Sequence, residues 1–401
     1  MHSAVVKVIS DLKGFESLLE IWNSLLSKCQ DDISIFLTYE WLWTWWGHFG
    51  EGKKLNILLI EKGSQVIGIV PLMKAEYKIG PIKFHILENI SFTSCNYVWL
   101  TRPENRQEAI TAVLAYLKEE LIKNKLSLRL TLVPEDSKFR ELLHANTSAI
   151  CQELVIKERI MTSAPYISLP SSWDEYFHSL STRRRKKLRW ESRSLEKSHN
   201  VVFRQFNADS IEEGLNRFFD LHQRRWQSVN IKSMFSSPKM KEFYREIASQ
   251  FLGKNWLHFS CLTVDNEMAS VAYGFVYKRK FYYSITARDI RYSNYSVGHL
   301  HEMYLIKYAI NNHLQEFDFL QGEEPYKFHW TKSTRKYVEV TIIKGGPFSG
   351  LRIKFLRAFL RLFQIRQYSL REIYSGYLIR RIRRREREEK KRMGLYKHGL
   401  L

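Results

Sequence analysis

The sequence predicts an α/β fold of two tandem units, each a mixed central sheet flanked by helices, followed by a basic helical tail. Three observations predict it. Short apolar runs suited to strands alternate with longer segments whose apolar residues recur at helical spacing. The order strand, two helices, three strands, helix, strand occurs twice, and each copy needs roughly 150 residues, an ordinary domain size. Positive charge gathers at the end: residues 351–401 hold 16 Lys/Arg and 4 Asp/Glu, so 16 − 4 = +12 of the net +21 lies there.

The elements follow in order. "AVVKVI" reads as a strand, "FESLLEIWNSLLSKC" as a helix, and "TYEWLWTWWGHF" as a second helix with Thr38 as N-cap. "LNILLIE", "QVIGIVPLM" and "KFHILENI" are three strands. Residues 103–124 form a helix with Pro103 in its first turn. "LSLRLTLV" is a strand, and "CQELVIKERI" closes a first unit over residues 1–162. A basic linker follows, in which Ser172 and Glu175 have capping-box spacing. Leu180, Leu188 and Leu195 give its helix a sparse apolar stripe.

The second unit spans 163–345. "VVFRQF" is a strand, and 210–226 and 237–252 are helices. Strands 256–264, 268–277 and 281–287 follow, the first two joined by a tight turn at Asp265-Asn266-Glu267. Residues 296–313 form a helix; "EFDFL" and "KYVEVTIIK" are the closing strands. "GGPFSG" breaks the chain before the tail, 346–401. There Leu356, Phe359, Leu360 and Phe363 share one helical face among arginines. Such a helix suits an anionic membrane surface over 351–385, or packs on the second unit.

Composition excludes several classes. Eleven Trp, 21 Tyr and 24 Phe argue against disorder. No apolar run approaches the ~18 residues of a membrane span. The opening residues lack the apolar core of a signal peptide, and four scattered cysteines without metal spacing suit a reducing cytoplasm. No metal is expected. The basic excess, with a second cluster at Arg183–Arg189, implies an anionic partner: a phosphate-bearing cosubstrate, RNA or lipid. Arg183, Arg184, Lys187 and Arg193 are candidates for contacting it. No GxSxG, Walker loop or HExxH occurs. In "FDFLQGEEPYKFHW", Asp318, Glu323, Glu324, Lys327 and His329 crowd the end of a strand. Five ionisable groups are unusual for a plain core edge.

The strand and helix order resembles the GNAT acyl-CoA transferase superfamily. "YISLPSSWDEYFHSLSTRRRKKLRWESRSLE" and "SVGHLHEMYLIKYAINN…EFDFLQGEEPYKFHW" are similar to the entry and closing signatures of its CelD-type, or FemAB-like, branch. "FLTYEWLWTWWGHFG" and "QVIGIVPLM" resemble that branch's opening segment. The resemblance implies two GNAT-like units, the second binding acetyl-CoA or another acyl-CoA. It implies direct transfer to an amine or hydroxyl of a sugar-, amino-acid- or lipid-linked acceptor, as in polysaccharide or cell-envelope biosynthesis. A FemAB-like enzyme using aminoacyl-tRNA and a non-catalytic binding protein are the alternatives. On the GNAT reading the pyrophosphate meets the helix start at Ser296, Val297, Gly298 and His299, with Arg288 and Arg291 adding charge. Asp318 or Glu323 is then a base, Lys327 steadies an oxyanion or phosphate, and Tyr326 and His329 donate or relay a proton. The expected location is the cytoplasm, or the inner face of its membrane.

Overall fold

A computed structural model describes residues 3–29, 33–79, 82–91, 97–150 and 153–367, and the chain divides into two units. One comprises Met1–Ser163 with Arg335–Phe363; the other centres on Ala164–Thr334.

The first unit opens with β1 (Val5–Ile9), α1 (Leu12–Glu16), α2 (Leu19–Lys28) and α3 (Tyr39–Phe49). Thr38 caps α3 as expected, its Oγ1 accepting from the Trp41 amide. Strands β2 (Lys54–Lys62), β3 (Gln65–Ile79) and β4 (Ile82–Asn89) form an antiparallel meander, with β1 antiparallel to β2 and the short β5 (Leu100–Thr101) on β3. Pro103 starts a 3₁₀ turn that leads into α4 (Arg106–Lys123). Ile110, Val113, Leu114, Leu117 and Leu121 fall on one side of α4 at helical spacing, and all are buried. β6 (Ser127–Pro134) then runs parallel to β4. α5 (Lys138–Ile150) was not expected; "KFRELLHANTSAI" has few strong apolar residues to mark its period. β7 (Leu154–Ser168) carries the chain from the first unit into the second.

The second unit holds α6 (Trp173–Ser179), α7 (Thr182–Glu196), β8 (Val201–Gln205), α8 (Ile211–Gln227) and α9 (Pro238–Gly253). Then come β9 (Leu257–Val264), β10 (Glu267–Tyr277), β11 (Lys280–Arg288), α10 (Val297–Asn311) and β12 (Glu316–Asp318). β8, β9, β10 and β11 pair antiparallel in sequence order. β12 lies parallel to β11, and Tyr166–Ser168 lies antiparallel to β12. Ser172 Oγ caps α6 by accepting from the Glu175 amide. Asp265 and Asn266 take positive φ in the β9–β10 turn, as two-residue hairpins require. The stripe Leu180, Leu188 and Leu195 is buried.

The chain's last elements fall elsewhere than the sequence reading placed them. β13 (Thr334–Lys344) is antiparallel to β6, and residues from Arg335 to Phe363 fall with the first unit, whereas the sequence reading carried the second unit on to 345. α11 (Ser349–Gln367) likewise belongs to the first unit up to Phe363. Its Ile353, Leu356, Phe359 and Leu360 are buried, and the last three cluster with Ile86, Tyr77 and Phe84. Three such side chains contribute about 1.5–3 kcal/mol each when fully buried. That contact takes up the apolar face expected to meet a membrane or the second unit. Phe363 and the basic run at 380–385 lie outside the residues whose side chains are described.

Buried charge fastens both elements. Glu339 on β13 is fully buried and accepts from Arg129 (2.9 Å), Arg159 (3.0 Å) and Arg357 of α11 (2.8 Å). Burial pushes its carboxyl up, but the Arg129 and Arg159 charges and hydrogen bonds outweigh that and hold it down at about 2. No described helix is long and apolar enough to cross a membrane.

Candidate functional site

In the second unit β11 and β12 stay in register over Lys280↔Glu316, Phe281↔Phe317 and Tyr282↔Asp318. β12 then ends, while β11 continues to Arg288. The chain leaves β12 through a loop with left-handed backbone at Leu320 and Gly322. Gly322 takes φ +108°, a backbone conformation that strains any L side chain.

Two of the expected catalytic residues build this loop. Asp318 is fully buried and its Oδ1 accepts from the Leu320 amide at 2.7 Å. Lys327, 3 % exposed, donates to the carbonyls of Leu320, Gln321 and Gly322 at 3.2, 2.8 and 3.2 Å and pairs with Glu324 at 2.9 Å. An ammonium has three protons, and this one spends them on the loop. Roles as base for Asp318 and as oxyanion donor for Lys327 therefore fit poorly. Glu323 and His329 are exposed and Tyr326 is half-buried.

Beside the loop stands a polar cluster built from α7, α10 and the 3₁₀ turn Lys327–His329. His329 meets His299 of α10 edge to face, ring centroids 5.2 Å apart. Glu191 of α7, 1 % exposed, lies 3.7 Å from His299 Nδ1, 3.7 Å from Lys187 and 4.0 Å from Arg184. Those are ion-pair distances rather than hydrogen bonds. Burial pushes the Glu191 carboxyl up, and the combined pull of His299, Ser296 and Lys187 brings it below the ordinary range. The Arg184 guanidinium sits over Trp330, 4.4 Å from the ring centre, with its nitrogens closed to solvent and making no hydrogen bond among the described residues. Burial lowers its pKa. Trp330 is the hub. Its Nε1 donates to Glu302 at 2.6 Å, and its carbonyl accepts from Tyr176 at 2.8 Å. Tyr283 donates to the other Glu302 oxygen at 3.1 Å.

The start of α10 lies in the same unit. Ser296 precedes it in left-handed backbone and gives no side-chain cap; the His299 and Leu300 amides return to its carbonyl. Gly298 is open: a Cβ there would meet the Arg288 side chain at 3.7 Å, an ordinary contact. Val297 is buried in the apolar core, so it can offer a ligand only its backbone. Arg291 does not join the helix start as expected. Its guanidinium is held by Asp289 at 2.8 and 3.0 Å, with Glu267 at 3.5 Å.

The structure thus brings together His299 and His329, and Arg288 and Gly298. It leaves Arg291 with its own carboxylates. The sequence reading missed Glu191, Glu302 and Tyr283. His299 and Glu302 are three apart on α10, a visible helical pair; Glu191 lies two turns from Arg184 and carries no local signal. Among the described residues no group of three His, Cys, Asp or Glu is placed to hold a metal.

Residues 182–328 match the family described as an acetyltransferase (GNAT) domain. No curated protein matches the chain by sequence. Among solved structures, FemX is similar at TM-score 0.54 and 13 % identity, over 80 % of this chain and 95 % of that one. A conserved protein of unknown function from Bacteroides thetaiotaomicron is similar at TM-score 0.52 and 11 % identity, over 85 % and 100 %. At such identities the likeness is one of fold. The family match lies wholly within the second unit, so that stretch is similar to an acetyltransferase (GNAT) domain, and the chain shares its fold with FemX.

Proposed function

We propose that the second unit takes an acyl group from acyl-CoA, with acetyl-CoA the simplest donor, and passes it directly to an amine or hydroxyl. The acceptor is linked to a sugar, an amino acid or a lipid. The observation that carries this reading is the start of α10, where no side chain caps the first turn, Gly298 leaves the backbone open and Arg288 crosses the same spot. An uncapped helix start offers amide donors and the positive end of a dipole to a pyrophosphate, and Arg288 adds a full charge.

The donor supplies an activated carbonyl, and a C–S bond is exchanged for C–N or C–O. The acceptor must lose a proton as that happens, and the leaving sulfur must gain one. His329 is the base on this reading: Asp318 is sealed, and of the exposed candidates Glu323 and His329 it is His329 that stands against the His299 ring of the polar cluster. His299 backs its ring, with Glu191 behind. Tyr326, on the same turn, is the proton donor to sulfur. Lys327 and Asp318 hold the loop that presents both.

Calorimetric titration of the full chain with CoA tests the donor site, using Gly298→Trp and Arg288→Ala. Each folded variant is expected to lose roughly tenfold or more in affinity, the scale of one charge-assisted contact. Unchanged affinity in both removes the site from α10. If CoA fails to bind while tRNA binds with steep salt dependence, the +21 charge serves an aminoacyl-tRNA instead. CoA binding without thiol release, across amine and alcohol acceptors, leaves a binding protein.

A further inference from the structure

We infer that the outward face of α11 docks the protein on an anionic membrane surface. The inward face is already used by Ile353, Leu356, Phe359 and Leu360. A second apolar set remains largely outside: Phe348 at 69 % exposure, Leu351 at 65 % and Phe355 at 50 %, the last with its inner edge against Phe84, ring centroids 6.0 Å apart. Phe348 and Leu351 are the two most exposed large apolar side chains among the described residues. Leu351 and Phe355 are four apart and so lie one above the other on the helix, with Phe348 just before its first turn. Scattered apolar side chains on a surface need no explanation, but three within eight residues, two of them stacked on one side of a helix, do.

Charge identifies the occupant. From Lys344 to Leu360 the sequence has Lys344, Arg352, Lys354 and Arg357, and no Asp or Glu. Arg357 turns inward to Glu339, while Lys344, Arg352 and Lys354 are exposed in the same stretch of chain as the apolar set. Packing of this face on the same face of a second copy would bring like charges together across the contact, which is costly. Apolar side chains ringed by cations match an anionic lipid surface, where the rings and Leu351 enter the headgroup boundary and the cations meet phosphates. The helix then lies in the surface, its inner side still fastened to the first unit.

Vesicle flotation with the full chain tests this, using phosphatidylcholine alone and an equal mixture with phosphatidylglycerol. The variants are Phe348→Ser/Leu351→Ser and Arg352→Glu/Lys354→Glu; none of these four side chains is buried, so both variants should fold, which thermal melting checks. The wild type is expected on the anionic vesicles only. The charge variant should bind about tenfold or more weakly, since each cation near an anionic leaflet contributes severalfold. The apolar variant should lose the part of binding that survives raised salt. Wild-type protein that does not float overturns the inference. So do folded variants that float like wild type, which would assign any binding to residues beyond this face. Salt-sensitive binding to RNA with no flotation would also overturn it, making the partner a nucleic acid.

Discussion

Replacing Glu339 with Gln should destabilise the first unit by about 3 kcal/mol or more. The magnitude follows from two routes. Holding a carboxyl at about 2 in the folded chain, against an ordinary 4.5, corresponds to about 3 kcal/mol of stability near neutral pH. Breaking a buried ion pair from one side typically costs about 3–5 kcal/mol, because the other charge stays buried. Here the stranded group is Arg129, 2 % exposed, whose remaining carboxylate, Glu88, stands at 3.5 Å. Arg159 and Arg357 are more exposed and can turn to water, so most of the cost falls on Arg129.

The pH dependence fixes the sign. Glu339 is depressed in the folded state, so its contribution is complete above about 4.5 and fades as pH falls toward about 2. Glu88 is raised by burial and acts oppositely, its contribution present below the ordinary carboxylate value and lost as pH rises from there through its raised one. Urea denaturation of wild type and Glu339→Gln, followed by far-ultraviolet circular dichroism at neutral pH, measures the difference. Repeating it near pH 3 should narrow the gap, since the wild-type carboxylate is then losing its advantage. A loss below about 1 kcal/mol at neutral pH would refute the reasoning, placing Glu339 on the scale of an exposed pair.

Two further outcomes are expected. His329→Ala should lower turnover by on the order of 10²-fold while leaving CoA affinity unchanged, as loss of a general base does; equal loss of both would make His329 a structural residue of the turn. His258 is buried among Phe203, Phe281 and Tyr308, with both ring nitrogens unbonded, and burial depresses its pKa to about 3. The unfolded chain therefore takes up its proton first on acidification, and the second unit should lose about 2 kcal/mol from this residue between pH 6.5 and 5. His258→Phe should remove that loss, and an unchanged acid melting profile would count against a neutral buried imidazole.

What the sequence disclosed depended on the range of each interaction. Caps act over three residues, so Thr38 and Ser172 were legible. The hairpin at Asp265-Asn266 was legible because left-handed backbone selects its residues. Alternation in "KYVEVTIIK" marked β13 as a strand but could not say which sheet would take it. The deciding partners, Arg129 and Arg159, stand 210 and 180 residues away from Glu339. Periodicity in α11 likewise gave an apolar face without its cover, and the cover came from β3 and β4 of the first unit.

The site shows the same division more sharply. Ionisable density drew attention to Asp318–His329, and the segment does border the polar cluster, but density cannot separate groups that hold a loop from groups that face a ligand. Lys327 illustrates this. A lysine five to seven residues after three carbonyls is near them in sequence whether or not it bonds them, and only the left-handed turn at Leu320 and Gly322 folds those carbonyls back onto its ammonium. Once that turn exists, Lys327 is occupied, and the ionisable side chains of the segment that stay exposed are Glu323 and His329. The residues that support His329 come from other elements: His299 from α10 and Glu191 from α7. Their meeting depends on how two helices pack over one sheet, which no local pattern encodes. A basic helix read as "RRRKKLRWES" announces its charge; that its one buried glutamate sits behind a histidine over a hundred residues later is a property of the fold.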